Sequence, residues 1–456
     1  MPETGLKFSR AVFPQAPVRA DDLQYVVSCI RRGECCAVVG PSNTGKSILL
    51  KSLLTEEVRR ACAYKGTVPP LMVFIDCLDA GDTEQGFYEL VLRRIVEELE
   101  GSGVSRATLD TLKALHREVL CSTSNIMVQS LFASSIRELG REPELRLVLI
   151  LDEFDDVFRM LPPWPFRQLR ALRDRFGGRL CYVVATSRHL ERLRPDVEIY
   201  EFRELFHPYT RLLCPLCQED ARRFIVYLAE TYGIILDEDR IPLAIELSGG
   251  HPGLLTHVCR ILSAWEVGRL PQLEIVVEEL GKDPAVRKEC MRLWGELEEE
   301  EREGLLALVG RGEVALNAEH RRALRAKGLV VTGEDGSLAV FTPIFEEFVR
   351  SELAKRCKGI RCDERTGQIW VDDREVTLEL SEPQRRLIRL LWRKAGAVCT
   401  KDEIAYAVWP ELAGNVSDPM IYELVKRVRR KVEPDWRHPR YIVTVPGEGY
   451  RLEIPE

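Results

Sequence analysis

The chain has 456 residues, 45% apolar and 30% charged, enough apolar material for several cores, which excludes disorder over most of its length. No uninterrupted apolar run approaches the ~20 residues of a membrane span, and residues 1–23 lack a basic segment followed by an apolar block, so the expectation is a cytoplasmic protein without membrane contact. Net charge is −7, with 19 Lys and Arg against 17 Asp and Glu in residues 356–456 and 46 against 55 before them, so any nucleic-acid contact must come from a local patch.

The first half alternates short apolar runs with helical patterns. Cys35–Val39, Leu71–Ile75, Leu145–Leu151 and Leu180–Ala185 read as strands buried on both faces, and Val197–Phe202 as a fifth strand nearer an edge. Helical stretches such as Gly86–Glu100 and Asn125–Leu139 separate them, which predicts an α/β domain with a parallel sheet. Residues 215–283 then read as helices, with Glu219–Glu230, Arg240–Leu247 and Pro252–Trp265 marked. Residues 284–355 give helices and a hairpin at Val330–Val340, the pattern of a small winged helix. The acidic run Glu296–Glu303 reads as the solvated start of a helix, and residues 355–360 as a linker. The pair Cys214–Cys217 has no matched second pair and reads as packing residues.

The strand Cys35–Val39 leads into Gly40-Pro41-Ser42-Asn43-Thr44-Gly45-Lys46-Ser47, then into an apolar helix that starts near Ile48. This is G-x-x-x-x-G-K-[ST] in the strand–loop–helix context that its mechanism requires: backbone N–H groups cradle phosphates, Lys46 reaches the β- and γ-phosphates, and the Ser47 hydroxyl ligates Mg²⁺. The apolar run Leu147–Leu151 ends in Asp152 and Glu153; Asp152 is expected to hold Mg²⁺ through water and Glu153 to act as the catalytic carboxylate on a water facing the γ-phosphate. Arg188, at the end of the fourth strand, is placed to pair with that phosphate.

GPSNTGKS, LILDEFD, ATSR and SGGHPGLL together resemble the additional-strand (ASCE) P-loop ATPases, and among them the STAND class and its archaeal-ATPase relatives. That resemblance, over residues 10–350, implies ATP or ADP with Mg²⁺, a helical lid whose Pro252 packs on the adenine, slow switch-type hydrolysis, and homo-oligomers in the ATP state under an unknown protein signal. Many members carry a histidine in the winged helix that touches the β-phosphate; the corresponding stretch Phe341–Phe345 has none.

The C-terminal residues suggest short strands at Ile360–Cys362, Gln368–Val371 and Val376–Leu378. Helices start at capping boxes Ser381–Gln384 and Thr400–Glu403, and a third at Asp418-Pro419 with Asp418 as N-cap; a hairpin Tyr441–Leu452 follows. The third helix has Ile421, Leu424, Val425, Val428 and Val432 on one face. Tyr422, Lys426, Arg427, Arg429, Arg430 and Lys431 cover the rest, a distribution suited to a major groove and its phosphates. Residues 359–454 resemble the OmpR/PhoB-type winged-helix domain, which implies double-stranded DNA as partner, Ile421–Lys431 as recognition helix and Tyr441–Tyr450 as wing. Pro446 stands where the wing usually has an arginine, and Glu448 adds negative charge.

The expected architecture is therefore a P-loop core (1–205), a helical lid (206–283), an inner winged helix (284–355) and an outer DNA-binding winged helix (356–456). The expected function is an ATP-dependent switch that binds DNA, a STAND-type transcriptional regulator. The alternatives are an AAA-like DNA-remodelling, loader or defence-associated ATPase with sequence-neutral DNA binding, or an outer winged helix that docks protein.

Overall fold

The computed structural model describes residues 18–63, 67–265, 272–311, 313, 316–333, 336–356, 359–363, 366–372, 374–412, 416–433, 436–437 and 439–453. The chain divides into two compact units, Met1–Phe348 and Val349–Glu456, the division falling inside the helix Pro343–Arg356.

The first unit is built on five parallel strands: β1 (Cys36–Val39), β2 (Leu71–Asp76), β3 (Leu147–Asp152), β4 (Leu180–Thr186) and β5 (Thr210–Leu212), in the order β2-β3-β4-β1-β5. Every residue of β1, β3 and β4 is buried. Because successive side chains point to opposite faces, Ala37, Val39, Leu149, Leu151 and Tyr182 enter one core, with Phe87, Phe132 and Phe166 from the helices on that side. Cys36, Val38, Val148, Ile150 and Val183 enter the other, with Leu23, Val26, Leu49 and Leu50. The register pairs Val39 with Thr186 and Asp76 with Asp152, so the loop after β1 and the ends of β3 and β4 open on one edge of the sheet.

One strand lies elsewhere than expected. Val197–Phe202 forms a 3-10 turn, Val197–Ile199, and the start of the helix Tyr200–Glu204, while the fifth strand is Thr210–Leu212. Ile199 and Phe202 are buried and Val197 is 87% exposed, a spacing of three that a helical turn satisfies and a strand does not.

Among the described residues the α-helices Gln218–Tyr232, Ile241–Ser248, Pro252–Ala264 and Leu273–Lys282 follow β5. Then come Pro284–Glu296, Glu299–Arg311, Ala318–Ala326, the antiparallel pair Val330–Thr332 with Leu338–Val340, and Pro343–Arg356. The acidic run is not a purely solvated face. Glu301 is buried, pairs with Lys327 at 2.8 Å and caps the Glu298 N–H, and Glu296 and Glu298 face the site described below. Cys217, expected to pack, is exposed, while Cys214 is half-buried beneath Gly328. Of the expected linker, the helix continues to Arg356, residues 357 and 358 lie outside the described residues, and Ile360 already begins a strand.

The second unit packs one core between two small sheets and three helices. The strands Ile360–Cys362, Ile369–Val371 and Arg374–Glu375 precede the helices Glu382–Arg393, Lys401–Val408 and Asp418–Val432, and the hairpin Ile442–Val445/Gly449–Leu452 pairs with Val398–Thr400. This is a winged helix. Both capping boxes are present. Two expectations shift. Val376–Leu378 is a 3-10 turn at Thr377–Glu379 rather than a strand. The third helix begins at Asp418 itself, with Ser417 in the N-cap position making no side-chain capping bond, and Asp418 pairs with Lys401 at 2.5 Å.

Candidate functional site

The loop between β1 and the helix Lys46–Ser52 is shaped by two left-handed residues, Asn43 (φ 60°) and Gly45 (φ 94°). Thr44 Oγ1 donates to Pro41 O at 2.6 Å, and the Gly40 N–H to Thr186 O at 3.1 Å, which fixes the loop to its own base and to β4. Lys46 is buried and its Nζ donates to Gly40 O (2.8 Å) and Pro41 O (3.1 Å). A buried ammonium held only by neutral carbonyls sits where an anion would be favoured.

At the end of β3, Asp152 is buried and Glu153 half-buried. Burial pushes the Asp152 carboxyl up, opposed by a hydrogen bond from the Ser47 side chain. Burial also pushes Glu153 up, opposed by the charge of Lys46. Glu153 holds φ 47°, with its N–H on Asp152 Oδ1 at 3.1 Å. Among the described residues only four non-glycine residues have positive φ, and three of them, Arg19, Asn43 and Glu153, surround this loop. Such strain collects where surrounding structure holds a site in shape.

A cavity of about 430 Å³ opens between loop and lid, lined by Asn43, Gly45, Lys46, Ser47, Ile48 and Glu153 below, and by Phe224, Tyr227, Leu228, Pro252 and Gly253 above. Its size and mix of apolar wall with a few polar groups suit a small organic ligand. The lid is set by the Gly249-Gly250 turn. Both glycines are left-handed; a Cβ at Gly249 would lie 2.3 Å from Phe341 O, and one at Gly250 2.2 Å from Leu216 O. The turn aims His251 and Pro252 at the loop, and the Gly253 N–H donates to Asn43 O at 3.2 Å.

Arg188 does not line that cavity. Its Nε donates to Glu296 O at 3.1 Å and its Nη2 to Gly295 O at 3.2 Å, with Glu298 at 3.6 Å. Asp155 holds the neighbouring Ser187, accepting from its N–H and its hydroxyl.

Four residues around the loop carry no mark in the sequence that singles them out. Arg19 is buried, donates to Thr44 O and Cys214 O at 2.7 and 2.8 Å, and pairs with Asp22 at 2.9 Å. His251 lies inside SGGHPGLL, but nothing there signals its burial; its Nδ1 accepts from the Leu254 N–H, its Nε2 has no partner, and burial drives its pKa down to about 3. Glu289 accepts from Asn43 Nδ2, and Glu296 from the Ser42 N–H at 2.6 Å.

In the second unit, Ile421, Leu424, Val425, Val428 and Val432 of the third helix are buried, as its pattern predicts. Tyr422, Arg427 and Arg430 are exposed. Lys426 pairs with Glu423 at 3.2 Å and lies over the Tyr422 ring, and Arg430 lies 4.8 Å from the centre of the Trp436 ring. Arg429 and Lys431 work inside the domain: Arg429 donates to Ile442 O and Thr444 Oγ1 and packs on Tyr450, and Lys431 donates to Glu379 O and Gln384 Oε1.

Among the described residues no helix is long and apolar enough to cross a membrane. Residues 30–193 match the family described as AAA domain, and residues 374–452 the family described as transcriptional regulatory protein, C terminal. The alkaline phosphatase synthesis transcriptional regulatory protein PhoP of Bacillus subtilis is 32% identical over 120 residues, 24% of this chain and 49% of that protein. The sensory transduction protein RegX3 of Mycobacterium tuberculosis is 36% identical over 95 residues, 21% of this chain and 40% of that protein. The chain thus spans half or less of the length of these curated relatives. Among solved structures, the Walker-type ATPase of Pyrococcus abyssi overlays with a TM-score of 0.43 at 15% identity, covering 73% of this chain and 95% of that one. The Aeropyrum pernix ORC1 protein, solved in complex with DNA, gives 0.37 at 16%, covering 75% and 96%. One chain therefore carries an AAA-type P-loop ATPase domain and a C-terminal domain of the OmpR/PhoB transcriptional-regulator type.

Proposed function

We propose that the protein is an ATP-dependent molecular switch that binds double-stranded DNA, a STAND-type transcriptional regulator of the cytoplasm. The observation that carries this reading is the cavity whose floor brings together Lys46, Ser47 and Glu153 and whose roof is Pro252 with the rings of Phe224 and Tyr227. The donor set fits a Mg²⁺–nucleoside triphosphate. Among the described residues no cluster of three or more His, Cys, Asp or Glu could hold a metal by itself. A hard cation at Ser47 and Asp152 would therefore share its shell with phosphate oxygens and water, the usual habit of Mg²⁺.

On this reading the backbone of Gly40–Ile48 and Lys46 take the phosphates, Ser47 and Asp152 hold the cation, Pro252 packs on the base, and Glu153 orients a water for slow hydrolysis. The working parts are the core (1–205), lid (206–283), inner winged helix (284–355) and outer winged helix (356–456). Tyr422, Lys426, Arg427 and Arg430 face the duplex, while Arg429 and Lys431 hold the recognition helix in place. Inverting a 1:99 population needs about 5.5 kcal/mol of differential binding, within reach of several charge-assisted contacts to a third phosphate. The ATP state binds DNA better and self-associates; a protein signal sets its access.

Selection of bound fragments from a genomic pool, with and without ATP, tests the reading. Discrete ATP-dependent sites support it. Uniform, salt-sensitive coverage would replace the regulator by a sequence-neutral loader, and no DNA retained would leave the winged helix as a protein-docking module.

A further inference from the structure

The upstream half of the phosphate loop is gripped from outside the α/β core, by the helix Pro284–Glu296. Glu289 accepts from Asn43 Nδ2 with both carboxylate oxygens, at 3.0 and 2.9 Å. Seven residues on, two helical turns and so the same face, Glu296 Oε2 accepts from the Ser42 N–H at 2.6 Å. The backbone carbonyl of Glu296 accepts from Arg188 Nε, with Gly295 O on Arg188 Nη2. Arg302 braces this helix end, donating to Trp294 O (3.0 Å) and Gly295 O (2.9 Å).

In a loop of this kind the N–H groups nearest the lysine take the inner phosphates, and the lysine spans the outer two. Ser42 lies upstream of Gly45 and Arg188 at the end of β4; neither lines the cavity while Glu296 holds it, and a third phosphate extending past Lys46 toward the start of the loop would compete for both. Both donors are engaged by one residue, Glu296, through its side chain and its carbonyl.

We propose that Glu296 distinguishes triphosphate from diphosphate. This rests on the nucleotide reading above and specifies its regulation. A diphosphate leaves the Ser42 and Arg188 hydrogen bonds intact. A third phosphate and the Glu296 carboxylate are both anions seeking the same donors, so they cannot share them. The phosphate takes the Ser42 N–H and draws Arg188 off the helix-end carbonyls, so the end of the Pro284–Glu296 helix is released from the loop and from β4 while it keeps its Arg302 brace, and Glu289 stays on Asn43 as the pivot. Release of this helix end is then the first movement that a triphosphate causes and a diphosphate does not.

The test is equilibrium binding of a non-hydrolysable ATP analogue with Mg²⁺, and of ADP with Mg²⁺, to the full chain and its Glu296→Ala, Glu296→Gln and Lys46→Ala variants, each checked by thermal melting. Glu296→Ala should tighten the triphosphate about ten-fold and ADP less than about two-fold, the scale of one charge-assisted hydrogen bond. Glu296→Gln keeps the size and an acceptor but loses the charge, so it should shift the ratio in the same direction by less, and it serves if the alanine variant melts early. Equal factors for both nucleotides, or no change in either while Lys46→Ala abolishes binding, would overturn the role of Glu296. Binding of neither nucleotide by the unaltered chain, or binding unaffected by Lys46→Ala, would instead remove the nucleotide reading and this inference with it.

Discussion

His251 offers a quantitative test of the lid. It caps the helix Pro252–Ala264, with Nδ1 accepting from the Leu254 N–H at 3.3 Å. It is 1% exposed, and the charges of Arg19 and Lys46 add to burial in disfavouring the imidazolium, so its pKa falls from 6.5 to about 3. Glu289, whose own carboxyl burial pushes up, faces it at 4.0 Å. In the folded chain the ring stays neutral; in the unfolded chain it takes up a proton below pH 6.5. The unfolded state therefore binds more protons between pH 6.5 and about 3, and stability falls as pH drops through that window. The slope is about 1.4 kcal/mol per pH unit, so this group alone removes roughly 2 kcal/mol between pH 6.5 and pH 5. Asparagine can cap the same N–H but does not titrate. Urea unfolding of the full chain and of His251→Asn at pH 7 and pH 5 isolates the effect: the histidine chain should lose about 2 kcal/mol more than the variant. Equal losses would refute the claim that a neutral, buried imidazole holds the lid turn.

Other consequences follow from particular side chains. Arg427→Ala with Arg430→Ala should weaken DNA binding across all sequences and lower the salt slope by about one for each phosphate no longer neutralised, read by titration at several salt concentrations. Arg429→Ala should instead destabilise the second unit by about 1–3 kcal/mol in thermal melts, because Ile442 O and Thr444 Oγ1 lose their donors. Lys327→Met leaves Glu301 buried without its 2.8 Å partner and should cost about 3–5 kcal/mol, measured as a shift of the unfolding midpoint. Gly250→Ala should lower solubility or the melting temperature, since its Cβ would meet Leu216 O at 2.2 Å on a left-handed backbone.

The central sheet was legible because β1, β3 and β4 are apolar at nearly every position, as strands covered on both faces must be. The fifth strand was not. Thr210–Leu212 is a half-buried edge of three residues with no pattern of its own, and the more apolar Val197–Phe202 nearby has the stronger strand signal. The loop residues, the β3 carboxylates and the apolar face of the helix Asp418–Val432 were legible as local motifs. What closes round the loop was not: Glu296 meets Ser42, and Glu289 meets Asn43, across about 250 residues of chain. In the sequence Glu296 begins an acidic run like any solvated helix start. The partners of Arg429 and Lys431 were equally hidden: Arg429 donates to the hairpin at Ile442 O and Thr444 Oγ1, and Lys431 to Glu379 O of the 3-10 turn and to Gln384 Oε1 of the next helix.

The most direct measurement is the affinity of the full chain for a selected DNA site in ATP-analogue–Mg²⁺ and in ADP–Mg²⁺, repeated with Lys46→Ala. The account requires the triphosphate to tighten binding at least ten-fold over the diphosphate, and the lysine variant to lose the difference. Equal affinity in the two nucleotides, with both shown to be bound, would contradict it.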